Sequence, residues 1–350
     1  MKKNIQVSWK SPSNIAFIKY WGKHGVQLPM NPSLSMTLDK CYTETHVSLI
    51  EKKASDKLDL EFLFEGKKNK NFENRIAKFI TDNRQLLSFI NDYKLKIESS
   101  NSFPHSAGIA SSASAMSALA LCLATIEQRI GKNKITDLYQ WASNLARLGS
   151  GSASRSVYGE YTIWGKNEFI ATTSDEYAVP LKTLIHKDFL CLRDVVLLID
   201  SGQKKVSSSV GHSLMNKHPY AAQRFANAKE NLDEILKSMK KGDFNRFAYL
   251  IEHEALSLHA MMMTAEPWFT LLSPNTLVAI ERIKLFREET NTKICFTLDA
   301  GPNIHLLFPA EEDKKVKSFI ETELSPLCVE GKYILDNIGN GPELLKDEFN

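Results

Sequence analysis

The segment NSFPHSAGIASSASAMSALAL, residues 101–121, decides the fold because it joins a loop of small residues to an alanine-rich helix. A proline and two small-residue turns come first, and a serine pair follows where the helix begins. The first turn of a helix leaves backbone N–H groups unpaired and carries positive partial charge. The segment therefore predicts a phosphate-binding loop at residues 103–114, with a central buried helix behind it.

The small residues of this loop suit an anion. Gly108 frees the backbone to turn tightly, Ala110 keeps side chains away from a bound phosphate, and Ser111 and Ser112 offer hydroxyls. No lysine follows the glycine, so the loop is not of the Walker type. Mg²⁺ bound here would be held mainly by nucleotide phosphates, with Ser112 as a protein ligand. A serine-capped helix after an ordinary loop is the alternative that these residues leave open.

Length and composition place the chain among globular proteins. Its 350 residues, 43% of them hydrophobic, suffice for two domains or one large one. The 44 lysines and arginines nearly balance the 41 aspartates and glutamates. The formal net charge of +3 is too small and too dispersed to indicate nucleic-acid binding.

The cysteines and the N-terminus bear on location. The cysteines are odd in number, widely spaced and set among apolar neighbours, so we expect buried thiols in a reducing compartment. They are Cys41, Cys122, Cys191, Cys295 and Cys328. The N-terminus lacks an apolar signal core, and no run approaches the roughly 20 apolar residues that cross a bilayer. We therefore expect a cytoplasmic protein without a membrane segment.

Hydrophobic periodicity predicts a change from strand-rich to helix-rich sequence near residue 185. Strands are predicted at residues 15–18, 34–38, 43–50, 58–64, 93–99, 158–164, 195–200, 293–298 and 304–308. Helices are predicted at residues 74–91, 112–129, 136–148, 219–240, 243–263, 274–290 and 312–324, with Thr136 as an N-cap. We expect an α+β fold of two closely packed lobes, residues 1–185 and 186–350.

A second candidate anion site is the segment RLGSGSASRS, residues 147–156. Ser150, Ser152 and Arg155 directly follow a predicted helix end, and Gly149 and Gly151 loosen the backbone around them. Serine hydroxyls beside a guanidinium form a receptor for a carboxylate or a phosphate. A flexible surface turn with a solvated arginine is the alternative.

The segment SPSNIAFIKYWGK, residues 11–23, places two lysines after a short apolar strand. Lys19 and Lys23 are four residues apart, and the turn at Gly22 determines whether they lie on one side. One interpretation is a further anion site. The other is a pair of surface lysines beside a core aromatic pair, Tyr20 and Trp21.

The segment TLDAGPN, residues 297–303, contains the best candidate catalyst, Asp299. This aspartate directly follows an apolar strand and precedes a Gly301-Pro302 turn. A carboxylate at the end of a strand, on a turn held by proline, is positioned well and has its pKa set by its surroundings. Aspartate is also a common turn former, which is the alternative.

The histidines and methionines carry less information. His253 and His259 are six residues apart on a predicted helix, a spacing unlike that of metal ligands. The methionine run at residues 261–263 is more typical of core filling than of a cofactor site.

Taken together, the four segments resemble the GHMP kinase superfamily and, within it, the mevalonate diphosphate decarboxylases. The superfamily's phosphate loop, P-x-x-x-G-[LI]-x-S-S-[AS], is matched at residues 104–113. NIAFIKYWGK, the loop with Ala110, GSGSASRS and FTLDAGPN match the decarboxylase branch, in the same order and across nearly the whole chain. The resemblance implies a two-lobed α+β fold with the active site in the cleft between the lobes, often in a homodimer.

The resemblance also implies the reaction, which is ATP- and Mg²⁺-dependent decarboxylation of mevalonate 5-diphosphate to isopentenyl diphosphate. By motif position, Asp299 would contact the substrate's tertiary hydroxyl as a base or an orienting group. Arg155 would hold the substrate's carboxylate, and Lys19 would assist the reacting centre. Ser112 would position the γ-phosphate and Mg²⁺. Ser150 and Ser152 would line the substrate site, and the residues around the substrate's phosphates would be Asn14, Tyr20, Lys23 and Ser208. The implied ATP contacts are Pro104, Ser106, Gly108, Ala110, Ser111 and Ser112.

The chain departs from the family pattern at three places. Ser154 stands where the family commonly has cysteine, and His105 and Ser106 stand where threonine and alanine are frequent. Ser209 stands where some bacterial relatives have an arginine that touches the diphosphate. An archaeal-type branch acts on mevalonate 5-phosphate instead, but the presence of Tyr20 and Lys23 favours the diphosphate. The sequence also leaves open a superfamily kinase for a small alcohol and a non-catalytic nucleotide-binding descendant.

Overall fold

A computed structural model describes residues 5–104, 109–168, 170–200, 202 and 208–349. Its strands are β1 (Ile5–Ile18), β2 (Lys23–His24), β3 (Leu28–Pro29), β4 (Ser33–Glu51), β5 (Leu60–Phe64), β6 (Lys67–Lys68), β7 (Tyr93–Asn101), β8 (Tyr161–Trp164), β9 (Ala178–Pro180), β10 (Leu192–Leu197), β11 (Cys295–Thr297), β12 (Ile304–Pro309), β13 (Tyr333–Asn337) and β14 (Glu343–Phe349). The α-helices are α1 (Lys70–Asp82), α2 (Ser111–Ile130), α3 (Leu138–Gly149), α4 (Lys187–Leu190), α5 (Ser208–Leu214), α6 (Ala221–Lys241), α7 (Phe244–Met263), α8 (Pro274–Thr290) and α9 (Asp313–Phe319). Short 3₁₀-helices include Arg84–Leu86, Ser88–Asn91 and Gly151–Val157, and a π-helix covers Ile320–Leu324.

The first sheet is built on the long antiparallel pair β1 and β4. Its order is β14-β1-β4-β7-β5-β6, and β8 and β9 extend it from β4. The pairing of β1 with β4 shifts register between Pro12 and Asn14, and proline lacks the N–H group that a ladder needs. Residues 38–41 of β4 have no partner in β1, and three of them, Asp39, Lys40 and Cys41, donate their N–H groups to the carboxylate of Asp336 in β13 at 2.8–2.9 Å.

The alanine-rich helix α2 is the central helix predicted from the sequence. It packs against β1, β4 and α3, and the small side chains of Ala113, Ala118, Ala120 and Ala124 are fully buried. Small residues let the neighbouring backbones approach closely, so the N-terminus of α2 has a fixed place beside β1. Predicted helix 136–148 is α3, but its N-cap is Asp137, whose carboxylate accepts the N–H of Gln140, and the prediction of Thr136 is wrong.

The second sheet has the antiparallel order β11-β12-β10-β13. The helices α7 and α8 pack against β11, and α6 packs against α7. β14 follows β13 in sequence but belongs to the first sheet, where it pairs with β1 from Lys10↔Glu343 to Ile5↔Phe349. Among the described helices, none has the length and apolar character that a membrane crossing requires.

Three further sequence predictions need correction. The helix predicted at 74–91 ends at Asp82, and two 3₁₀-helices follow it. The helix predicted at 312–324 is α-helical only at Asp313–Phe319 and continues as the π-helix. Four of the cysteines are buried as expected, but Cys191 is exposed. β13 and β14 were not predicted.

Candidate active site

Lys19 and Asp299 meet although they lie in different halves of the chain. Lys19 directly follows β1, and Asp299 comes two residues after β11. The Lys19 Nζ atom lies 3.3 Å from Oδ1 of Asp299 and also donates to the carbonyl oxygen of Ala16 at 2.6 Å. The side chain of Lys19 is 2% exposed and that of Asp299 is 27% exposed. The lysine is therefore held in a fixed position, while the carboxylate of Asp299 is partly exposed.

The burial of Lys19 changes its chemistry. Desolvation lowers the pKa of Lys19 below its ordinary value, and the negative charges of Asp299 and Glu254 oppose that fall. The alternative of two surface lysines is wrong for Lys19. Lys23 is only partly buried, donates to Oε1 of Gln27 at 2.9 Å, and has its pKa lowered by burial.

Arg155 is buried in the 3₁₀-helix Gly151–Val157, so the alternative of a flexible surface turn is wrong. Its Nη1 atom donates to the hydroxyl of Ser33 at 2.7 Å, and its Nε donates to Oδ1 of Asn14 at 3.3 Å. Burial lowers the pKa of Arg155 to about 10, and Asp299 and Tyr20 oppose the fall. A buried cation held by two side chains presents its remaining N–H groups in a fixed direction.

The predicted serine cluster joins the same region. The Ser112 hydroxyl at the start of α2 is exposed and lies 3.4 Å from the Ser150 hydroxyl at the end of α3. The amide of Asn14 donates to the carbonyl oxygen of Ser152 at 3.2 Å and to the hydroxyl of Ser156 at 2.7 Å. These contacts join residues of three predicted segments, 11–23, 103–114 and 147–156. Lys19 and Arg155, from two of these segments, interact electrostatically with Asp299 of the fourth.

The N-terminus of α2 differs from a serine-capped helix. Its N-cap is Ala110, which has the left-handed φ of 44° and no side-chain hydrogen bond, so the alternative of a serine cap is wrong. A left-handed residue before helical ones aims successive N–H groups at a common point, as in anion-binding nests. Ser111 and Ser112 are the first helical residues, and Pro104 is exposed. Ser106 and Gly108, both predicted to contact ATP, lie outside the described residues.

Tyr20 interacts with Arg155 and packs among other aromatic rings. Its ring centroid lies 4.6 Å from that of Trp164 and 4.3 Å from that of His212. Its hydroxyl is buried and has no hydrogen-bond partner among the described residues. A buried donor without a partner is costly, so this hydroxyl is suited to receive a ligand. Ser208 is placed at the first position of α5, the helix that carries His212.

His212 is a site residue that the sequence did not single out. Its Nδ1 accepts the N–H of Gly22 at 3.0 Å, and its ring packs at a tilt against the rings of Trp21 and Tyr20. Burial, together with the charges of Lys23 and Arg155, lowers the pKa of His212 to about 3. The ring is therefore neutral and carries its proton on Nε2.

An apolar pocket beside the N-terminus of α2 was also missed. Aromatic and aliphatic side chains from β5, α1 and α2 line it, with the two serines that begin α2 at its edge. They include Phe62, Phe64, Phe72 and Met116. Phe62 and Phe64 lie two residues apart on a predicted strand, and this spacing could have indicated an apolar surface. The residues of α1 and α2 that face them could not be assigned from sequence spacing.

Mg²⁺ binds oxygen ligands and commonly uses one or two protein oxygens with substrate phosphates and water. The exposed hydroxyl of Ser112 and the partly exposed carboxylate of Asp299 are oxygen donors of this kind. Among the described residues, no three histidine, cysteine, aspartate or glutamate side chains group together as a metal site. The donor set fits Mg²⁺ that arrives with a nucleotide.

Two family sequence models match the chain. The diphosphomevalonate decarboxylase-like N-terminal domain matches residues 11–178, and the mevalonate 5-diphosphate decarboxylase C-terminal domain matches residues 194–343. The diphosphomevalonate decarboxylase of Saccharomyces cerevisiae is 31% identical over 331 residues, which cover 89% of this chain and 79% of the yeast protein.

Solved structures are similar across almost the whole chain. Mevalonate diphosphate decarboxylase from Staphylococcus aureus has a TM-score of 0.83 at 31% identity, covering 98% of each chain. A complex of MDDEF with MVAPP, AMPPCP and magnesium has a TM-score of 0.82 at 31% identity, covering 98% of this chain and 99% of the other. The expected α+β fold is thereby confirmed.

Proposed function

The chain belongs to the diphosphomevalonate decarboxylase family, and on that premise we propose that it converts mevalonate 5-diphosphate to isopentenyl diphosphate. The reaction consumes ATP, releases ADP, phosphate and CO₂, and is a step of the mevalonate pathway of isoprenoid biosynthesis. The observation that carries the proposal is the 3.3 Å contact between Lys19 Nζ and Asp299, with the buried Arg155 beside it. This geometry supports the roles that the motifs imply for all three residues.

The chemistry requires a group that accepts a proton and a way to remove a poor leaving group. Hydroxide leaves badly, so the tertiary hydroxyl is first phosphorylated by ATP. Departure of phosphate then leaves positive character at C3, and the electrons of the C–CO₂ bond form the alkene. We assign Asp299 the task of orienting the hydroxyl and accepting its proton, which is typically worth about 10²- to 10⁴-fold in rate. Lys19 places its ammonium group 3.3 Å from this carboxylate, where it can help to orient it.

Arg155 is the proposed clamp for the substrate carboxylate. Its bonds to Asn14 and Ser33 fix the plane of the guanidinium, and its other N–H groups remain to bind a carboxylate. Ser150, at the junction of α3 and the 3₁₀-helix, and Ser152, in the 3₁₀-helix, are proposed to complete this side of the substrate site. The carboxylate must stay charged until CO₂ leaves, and a hydrogen-bonding clamp holds it without protonating it.

We propose that ATP places its phosphates at the N-terminus of α2 and its base in the neighbouring apolar pocket. Pro104, Ser106, Gly108, Ala110, Ser111 and Ser112 are the proposed phosphate contacts. Phe64 and Phe72 supply flat apolar surface for a purine. Mg²⁺, held by the phosphates and by Ser112, supplies charge neutralisation for phosphoryl transfer.

The phosphorylated end of the substrate is proposed to meet Tyr20, Lys23 and Ser208. The buried, unpartnered hydroxyl of Tyr20 and the cation of Lys23 support an anionic ligand at this end. Both residues favour the diphosphate over mevalonate 5-phosphate, which is the second candidate substrate because Ser209 replaces an arginine of some relatives.

The remaining predictions concern organisation and location. We propose that the lobes divide near residue 185 and that the site lies in the cleft between them. The five free cysteines support a reducing compartment and hence a cytoplasmic protein. A homodimer is proposed from the family resemblance alone, and sedimentation velocity at several concentrations tests it.

The deciding experiment incubates the protein with ATP, Mg²⁺ and mevalonate 5-diphosphate. Release of CO₂ in equal amounts with ADP is the expected result. A stable phosphorylated product without CO₂ would indicate a kinase, and the absence of turnover would indicate a binding protein. The same assay with mevalonate 5-phosphate compares kcat/KM for the two substrates, and a higher value for the monophosphate would reverse the choice between them.

A further inference from the structure

Two buried polar side chains of α7 contact the backbone of the two residues that meet at the centre of the site. Oε2 of Glu254 accepts the backbone N–H of Lys19 at 3.0 Å. Nε2 of His259 lies 3.1 Å from the backbone carbonyl oxygen of Asp299. Glu254 and His259 are 0% and 1% exposed, so neither contact is shared with bulk solvent.

Glu254 has a fixed position of its own. Arg224 of α6 donates to both of its oxygens, at 3.2 and 2.8 Å, and Asn231 donates to Oε1 at 2.8 Å. With the N–H of Lys19, the carboxylate therefore accepts four hydrogen bonds. A buried charge satisfied in this way is rigid, because any movement would leave a charged group without its partner.

The direction of the His259 bond follows from its partner. A carbonyl oxygen can only accept, so Nε2 of His259 must be the donor. Burial lowers the pKa of His259 to about 4, so the ring is neutral with its proton on Nε2. The bond from His259 thus satisfies the backbone carbonyl of Asp299, whose side chain contacts Lys19.

The two contacts join the halves of the chain. Lys19 extends from β1 in the first sheet, and Asp299 follows β11 in the second. Glu254 and His259 are five residues apart on one helix, a rise of about 7.5 Å that cannot change without breaking backbone bonds. Lys19 is also held from the other side, because the amide of Asn31 donates to its carbonyl oxygen at 3.0 Å.

We propose that Glu254 and His259 are positioning residues of the active site, and that α7 sets the separation between Lys19 and Asp299. The inference rests on the proposed function, because it assigns a task to a site whose reaction is itself proposed. A shift of 1 Å at a reacting group can cost on the order of 10²-fold in rate. Loss of either contact is therefore expected to lower kcat while leaving substrate binding nearly intact.

The test compares three substitutions of His259. His259→Leu fills most of the space without a donor, and His259→Asn carries an amide that ends too short to replace Nε2. Both are expected to lower kcat at least about tenfold and to change KM for ATP and for mevalonate 5-diphosphate less than about twofold. His259→Gln, whose amide N–H reaches the position of Nε2, is expected to restore most of the wild-type kcat.

His218 provides a matched control. It is also a buried histidine whose Nε2 contacts a backbone carbonyl, that of Met261, at 3.0 Å, but it does not contact Lys19 or Asp299. His218→Leu is expected to lower thermal stability as His259→Leu does and to keep the wild-type kcat. Equal kcat values for the asparagine and glutamine variants of His259, or an equal loss in His218→Leu, would overturn the inference.

A second measurement separates this inference from the proposed function. Failure of the wild type to release CO₂ would reject the proposed function alone. The titration of Lys19, followed by NMR of the labelled lysine, then tests the positioning directly. Asp299 and Glu254 raise the pKa of Lys19, Arg155 lowers it, and the buried Asp194 also interacts with the lysine charge. A lower Lys19 pKa in His259→Leu would support the inference, and an unchanged one would overturn it.

Discussion

At the scale of single residues, Asp299 is the proposed acceptor of the hydroxyl proton. Asp299→Asn keeps the size of the side chain but removes the charge that faces Lys19 at 3.3 Å. We expect CO₂ release to fall by about 10²- to 10⁴-fold, because an amide cannot accept a proton in the transition state. Single-turnover assays measure the loss, and nucleotide binding, followed by a fluorescent ATP analogue, should stay near that of the wild type. Turnover equal to the wild type would remove Asp299 from the mechanism.

Arg155 makes a separate prediction about the substrate carboxylate. Arg155→Lys keeps one charge but loses the planar fork of N–H groups, which bonds Asn14 and Ser33 and can also bind a carboxylate through two parallel bonds. We expect kcat/KM for the phosphorylated substrate to fall at least about tenfold, as suits the loss of a bidentate contact.

Ser33→Ala is the control for this substitution, since it removes one bond to the guanidinium and keeps the arginine. Its effect on kcat/KM should correspond to about 0.5–1.5 kcal/mol, the usual net value of one hydrogen bond. Equal effects of the two substitutions on kcat/KM would contradict the clamp.

Residue types and local order were enough to predict Lys19, Arg155, Ser112 and Asp299 as site candidates. Several of the contacts that fix this region could not be predicted, because the two residues in each contact are distant in sequence. The bond from Lys19 to Glu254 spans 235 residues, and that from Gly22 to His212 spans 190. A lone glutamate on a helix, or a histidine without metal-ligand spacing, carries no local signal of such a partner.

At the scale of elements, the N-terminus of α2 depends on the backbone of Ala110. Its φ of 44° and ψ of 40° are accessible to glycine at no cost and to alanine at a cost of about 1–2 kcal/mol. A β-branched side chain is a severe outlier there. We expect Ala110→Gly to keep KM for ATP within about twofold, and Ala110→Val to raise it at least about tenfold.

The measurement is steady-state KM for ATP at saturating mevalonate 5-diphosphate. KM for mevalonate 5-diphosphate should change less in both variants, because Ala110 lies at the proposed ATP phosphate site and not at the site proposed for the substrate's phosphates. Similar KM values for ATP in the glycine and valine variants would show that the left-handed turn is not needed for nucleotide binding.

Long periodic segments were predicted well, and short or irregular ones were not. The helices α6, α7 and α8 lie within two residues of the predicted ranges. The predicted helix 74–91 extended too far, because the buried Leu87, Phe89 and Ile90 keep an apolar spacing after the helix has ended. β14 was not predicted, because it is recognised as a strand from its pairing with the distant β1.

At the scale of the whole molecule, two buried histidines make stability depend on pH. Burial lowers the pKa of His212 to about 3 and that of His259 to about 4, from an ordinary value of 6.5. Between pH 6.5 and 4 the unfolded chain therefore binds protons that the folded chain does not. The free energy of unfolding should fall as the pH is lowered through this range, by about 2 kcal/mol per histidine at pH 5.

Denaturant titrations at pH 7, 6 and 5 measure this dependence. The double variant His212→Asn with His259→Gln should lose less stability between pH 7 and 5 than the wild type does, whatever its stability at pH 7. An identical pH dependence in the two proteins would show that other groups govern acid unfolding.

The path of the last strand has a consequence for synthesis. β14 completes the first sheet by pairing with β1, and Asp336 caps the backbone of β4 from the far end of the chain. On the ribosome, the opening strands emerge long before either partner has been translated. β1 is therefore made early but completes its pairing late. In a nascent chain stalled before residue 343, the edge of β1 that pairs with β14 would be unpaired and able to pair with strands of other polypeptides.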